Sequence, residues 1–121
     1  MFEDNPRVEI IVSPLPYYAY QHGEVMLGFH HGHKKNVKGM PDTFAGQFRE
    51  MYGKTKQTYL HCGHLHNRHL EEFSSAIVER HSTVSSRDAH ASHGGWNSQR
   101  SMQAITYHKE RLECGRVMEV V

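Results

Sequence analysis

Apolar residues in this chain fall mostly in short alternating or β-branched runs, the spacing of strands rather than of helices. Residues 8–12 (VEIIV) form the first run, stopped by Ser13-Pro14. Beyond Pro16, Tyr17, Tyr18 and Tyr20 mark a second, and residues 24–29 (EVMLGF) a third. His22-Gly23 lies between these two, and glycine can take the positive φ that a tight turn requires. The pattern predicts a hairpin whose second strand leads into His30-His31-Gly32-His33.

The period then changes. Pro41-Asp42-Thr43 opens a segment in which Phe44, Phe48 and Met51 recur at helical spacing, and Gly53 closes it. This predicts one main helix of about three turns. Residues 57–62 (QTYLHC) return to strand character and run into Gly63-His64-Leu65-His66. Shorter strands are predicted over 71–73, 76–79, 103–109 and 116–121, with Gly115 closing the last hairpin. Residues 82–100, rich in Ser, Gly, His and Asn, form a long irregular stretch, which in a small domain usually carries function or lacks order. The expected class is α+β: a mixed, largely antiparallel sheet with one main helix, in a single domain over 1–121.

Composition narrows the function classes. The chain has 121 residues, 37% hydrophobic and 22% charged, with a net charge of +1, which reads as an ordinary soluble domain. That balance gives no electrostatic case for nucleic acid, and no apolar run approaches the length of a membrane span. The first seven residues carry two acids and no apolar run, unlike a secretory signal. Two cysteines make no disulfide framework, so reduced thiols and a cytoplasmic location are expected.

Histidine changes the picture, with 12 copies. At that density about one His-x-His triplet arises by chance, so placement has to carry the argument. Both triplets, His31-Gly32-His33 and His64-Leu65-His66, follow a predicted strand directly at a glycine-containing turn. A strand end is rigid, glycine admits an ion close to the backbone, and neutral imidazole suits Zn, Mn, Fe and Ni. Surface loop histidines are the plainer reading of the same residues.

The order strand, His-Gly-His, helix, strand, Gly-His-x-His resembles the C-terminal half of calcineurin-like metallophosphoesterases, from about Val8 to the end of the chain. The resemblance implies part of that family's αββα sandwich and a centre that normally holds two divalent metals (Mn, Zn, Fe or Ni). His31 and His64 would bind one metal and His66 the other, with His33 beside them. It implies a phosphate-ester substrate attacked by metal-activated water. The family's Asp-x-His, bridging aspartate and Gly-Asn-His-Asp/Glu motifs do not precede His31. The expectation is therefore a truncated or incomplete phosphoesterase, completed by another chain or by self-association. The alternative is a catalytically silent metal-binding or assembly module.

Within residues 82–100, Asp88-Ala89-His90 offers an Asp-x-His triplet that could reach a substrate, although Asp88 could equally cap a turn. Arg87 and Arg100 could clamp a phosphate, or be solvated. Cys62 reads as a buried strand cysteine rather than a thiolate ligand, and His61 as facing away from it. His69, His81 and His108 read as surface histidines.

Overall fold

The computed structural model describes residues 5–10, 16–30, 37–63, 69–82 and 101–120. The hairpin expected after Pro16 forms from β1 (Tyr17–His22) and β2 (Val25–His30). They pair antiparallel, with His22 opposite Val25, and Gly23 in the turn has φ +60°. The run at 8–12 is not borne out as a strand where it is described. Val8, Glu9 and Ile10 pair with no strand, and Val8 and Ile10 are exposed, because no strand edge among the described residues meets them.

A 3-10 turn over Val37–Gly39 leads into α1 (Met40–Gln47), with Pro41 in its first turn where a missing N–H costs nothing. The expected single helix is interrupted at Phe48 (φ −125°, ψ 51°) and resumes as α2 (Arg49–Lys54). Gly46, the poorest helix former short of proline, lies two residues before the break. β3 (Gln57–Cys62) follows with the expected bounds, then β4 (His69–Glu72) and β5 (Ile77–Arg80). The last two strands, β6 (Ser101–His108) and β7 (Leu112–Val120), form a separate antiparallel hairpin. Its turn spans 109–111, so Gly115 lies within β7 and does not close it. No helix among the described residues is long and apolar enough to cross a membrane.

The first five strands make one mixed sheet in the order β1-β2-β3-β5-β4. The three inner strands β2, β3 and β5 run parallel, and the two outer ones antiparallel to their neighbours, so the sheet is less antiparallel than expected. The α+β class with a mixed sheet holds. Strand alternation then assigns each residue to a face. Met26, Leu60, Cys62 and Val78 point to the helical side and pack with Met40 and Phe44 in the core. Each fully buried apolar side chain there contributes about 1.5–3 kcal/mol. The opposite face, including Tyr59, His61 and Glu79, is covered by the β6–β7 hairpin. Tyr59 and Tyr107 rings meet at 4.8 Å, and the Glu113 amide donates to the Tyr59 hydroxyl at 3.1 Å.

The helix comes close to the sheet at Gly28, where a Cβ would lie 2.5 Å from Leu60 Cδ2 and 2.8 Å from Phe44 Cε1. Gly28→Ala is expected to destabilise the fold by about 1–3 kcal/mol through overpacking. Urea unfolding checks this, and an unchanged midpoint would show that the helix does not seat on this strand.

Candidate metal centre

Parallel pairing brings three strand ends to one level. His30 of β2 lies opposite Cys62 of β3, and Cys62 opposite Arg80 of β5. Each is the last residue of its strand. The His81 amide extends the pairing by donating to the Cys62 carbonyl at 2.9 Å. His30, Cys62 and Arg80 thus lie side by side at the carboxyl end of the parallel strands, where parallel sheets place their ligands.

The expected ligands His31, His64 and His66 lie outside the described residues, as do His33, Arg87, Asp88, His90 and Arg100. The site that is described is built from other residues. His61 on β3, Glu79 on β5 and His81 just beyond it offer one ligand atom each within 4.8 Å of one another, and this group can hold a metal ion. It sits on the hairpin side of the sheet. His81, read from the sequence as a surface residue, is corrected to a member of this group, its side chain 30% exposed. His61 does face away from Cys62, as alternation requires.

Hydrogen bonds link the group to the hairpin. His61 Nε2 lies 2.7 Å from the Tyr107 hydroxyl, and His61 Nδ1 lies 2.8 Å from His81 Nε2. His81 Nδ1 is 3.7 Å from Glu79 Oε2. Arg116 grips the same carboxylate in two-pronged fashion, at 2.6 and 2.7 Å. One pattern of protons serves every link. Glu79 only accepts, and its 3.7 Å separation from His81 is an ion-pair distance rather than a hydrogen bond, so the tautomer that turns an N–H toward the carboxylate leaves His81 Nε2 as an acceptor. His61 then donates from Nδ1, and its Nε2 accepts from the Tyr107 O–H.

The electrostatics agree with that pattern. Burial first, and the neighbouring His81 second, push the His61 pKa down to about 4, so its ring is neutral near pH 7. Burial and nearby Glu113 and Glu79 raise that of Tyr107, which keeps its proton. For Glu79, burial opposes the charge, but the Arg116 hydrogen bonds and the positive charges around it leave the carboxyl below its ordinary value. Bonds to Glu79 raise the Arg116 guanidinium further still. His61 as a neutral imidazole and Glu79 as an ionised carboxylate are two ligands that need lose no proton to bind a metal at neutral pH.

A cleft of about 600 Å³ lies between the sheet and β6, with Leu27, Phe29, Met102 and Ile105 supplying apolar walls around His61 and His81. A second hollow of about 510 Å³ opens at the ends of β2 and β3, and the same two histidines line it. The group therefore connects the strand-end region to the cleft.

His30, His69, His108 and Cys62 have plainer roles. His30 is buried on the helical side and stacks on Tyr17 at 4.9 Å. His69 is exposed beside Glu71, and His108 accepts from the Glu110 and Arg111 amides in the last turn. Cys62 is buried, and that burial raises its thiol pKa, which suits a core residue rather than a thiolate ligand. Sequence reasoning missed Glu79, Tyr107 and Arg116. One signal was available: Glu79 follows Ile77-Val78 in a strand that reads as buried, where a carboxylate needs a partner. No protein-family model, no curated protein and no solved structure matches this chain.

Proposed function

We propose that this protein is a metal-dependent phosphoester hydrolase with its centre at the carboxyl ends of β2, β3 and β5. The observation that carries this reading is the common level of His30, Cys62 and Arg80 in three adjacent parallel strands. The chain continues from two of those ends into His31-Gly32-His33 and Gly63-His64-Leu65-His66, the segments that resemble metallophosphoesterase motifs. The His61, Glu79 and His81 group at the same end lends support, since it adds a metal-competent donor set to the neighbourhood.

In this reading His31 and His64 would hold one divalent metal and His66 a second, and the bound metal would supply an activated water and a Lewis acid for the phosphoryl oxygen. The water attacks phosphorus, the bond to the leaving oxygen breaks, and that oxygen takes a proton. His33, Asp88, His90, Arg87 and Arg100 are the candidates for contacts to the substrate.

The test is hydrolysis of a chromogenic phosphodiester by the full chain with added Mn²⁺ or Zn²⁺. The expected result is a rate lowered about 100-fold or more in His64→Ala/His66→Ala and abolished by a chelator. A wild-type rate equal to that of the double variant overturns the hydrolase reading.

A further inference from the structure

We propose that His61, Glu79 and His81 by themselves form a site for one divalent transition metal of the zinc class. Three features of the geometry point to it. First, two imidazoles and one carboxylate converge from β3 and the end of β5, with their ligand atoms within 4.8 Å of one another. Ligands about 2.0–2.1 Å from a tetrahedral ion stand about 3.3 Å apart, so His61 Nδ1 and His81 Nε2, 2.8 Å apart and hydrogen-bonded to each other, would part by about half an ångström and turn toward the ion as it replaces their shared proton.

Second, the surrounding bonds hold the ligands in place. Arg116 donates to both Glu79 oxygens, at 2.6 and 2.7 Å, and Gln103 Nε2 donates to Oε2 at 3.4 Å, which fixes the orientation of the carboxylate. Arg116 is thus a positioning residue, in the manner of the outer hydrogen bonds that orient metal-bound carboxylates. Tyr107 plays the matching part for His61. If the metal takes His61 Nδ1, the imidazole proton moves to Nε2, which then donates to the Tyr107 oxygen 2.7 Å away. The ring stays neutral, and only the direction of that hydrogen bond reverses.

Third, the group is not sealed. His61 and His81 both line the cleft beneath β6, so an ion held by them would be reachable from that cleft. Three protein ligands with an open fourth position distinguish a reactive or ligand-binding metal from a purely structural one. Two nitrogens and one carboxylate favour Zn²⁺ or Co²⁺, whereas Ca²⁺ and Mg²⁺ require a shell of oxygens. Nothing in this argument depends on the hydrolase reading.

The experiment uses the full chain carrying His64→Ala/His66→Ala, which removes the Gly-His-x-His histidines, stripped with a chelator and dialysed. Titration with Co²⁺ is followed by its visible absorption. The expected result is one equivalent bound with the intense bands of four- or five-coordinate cobalt, bleached by Zn²⁺ and untouched by Mg²⁺. Adding His81→Ala, at a partly exposed position, should weaken uptake by about 100-fold or more. Arg116→Lys should keep the stoichiometry and weaken affinity by about 10- to 100-fold, since lysine cannot hold both carboxylate oxygens. Circular dichroism confirms that each variant is folded. Absence of the bands in the folded background chain, or bands that persist unchanged in His81→Ala, overturns the proposal. Either outcome leaves the phosphodiester assay to decide the hydrolase reading independently.

Discussion

Glu79→Ala is expected to lower the stability of the protein by about 2–3 kcal/mol, the cost of removing the main partner of a partly buried guanidinium. The Glu79 side chain is 3% exposed and that of Arg116 20%. Without the carboxylate, Arg116 keeps, among the described residues, bonds to Gln103 Oε1 at 2.8 Å and Glu113 Oε1 at 3.1 Å. Both partners lie on the hairpin, so none of these bonds then ties the guanidinium to the sheet. Charge removal, not lost packing, carries the effect. Glu79→Leu combined with Arg116→Met should therefore recover much of the loss, because an apolar pair of similar volume carries no desolvation cost. Urea unfolding of the two variants checks both statements. A single-variant loss below about 1 kcal/mol would show that the pair behaves as a surface salt bridge.

Acid should weaken the fold well above the pH at which ordinary carboxylates titrate. His61 is held at a pKa of about 4 in the folded chain against an ordinary value of 6.5. Between those values the unfolded chain takes up a proton that the folded chain refuses. Stability is therefore full above pH 6.5, falls as the pH drops, and levels off near pH 4, with a loss of about 3 kcal/mol from this residue. Glu79 acts in the same direction at the lower end. Its carboxyl is held below the ordinary value, so its stabilisation is present above about pH 4.5 and is lost as the pH falls through the folded pKa. The measurement is a series of urea midpoints from pH 7.5 to 4, on wild type and on His61→Phe. The wild-type midpoint should fall through this window, and the variant should show a shallower slope. Equal slopes would assign the acid loss to other groups.

The sequence pattern located elements better than it located partnerships. The bounds of β3 were legible because Thr58, Leu60 and Cys62 alternate with Tyr59 and His61, each set facing its own side. Gly23 was legible because a hairpin turn demanded positive φ there. The last turn was not. His108 caps it by accepting from two amides, and Leu112 takes the positive φ (69°) that glycine usually supplies, so Gly115 drew attention to the wrong place. The break at Phe48 also escaped, since Phe44, Phe48 and Met51 keep a helical spacing across it.

The site shows the same limit. Histidine enrichment pointed to metal chemistry, but it could not say which histidines meet. His61 finds His81 across 20 residues and Tyr107 across 46, and Arg116 finds Glu79 across 37. Those distances are closed by parallel strand order and by a hairpin laid over the sheet, neither of which any local motif encodes. His81 looked isolated because its context lies on β3 and β6, not beside it in the chain.

The manner in which the hairpin is attached has a kinetic consequence. β6 and β7 form no strand ladder with the five-stranded sheet. They are held by side chains of β3 and β5, and by the Glu24 amide, which donates to the Lys109 carbonyl at 2.8 Å. A two-stranded hairpin is at best marginal by itself in water. Its anchors exist only after β2, β3 and β5 have been brought into register, so docking belongs to the end of the folding route, after the costly long-range loop closure. The cleft and the bonds around His61 arise in that same step. A chain caught before it would carry a formed sheet and helices yet lack the cleft beneath β6.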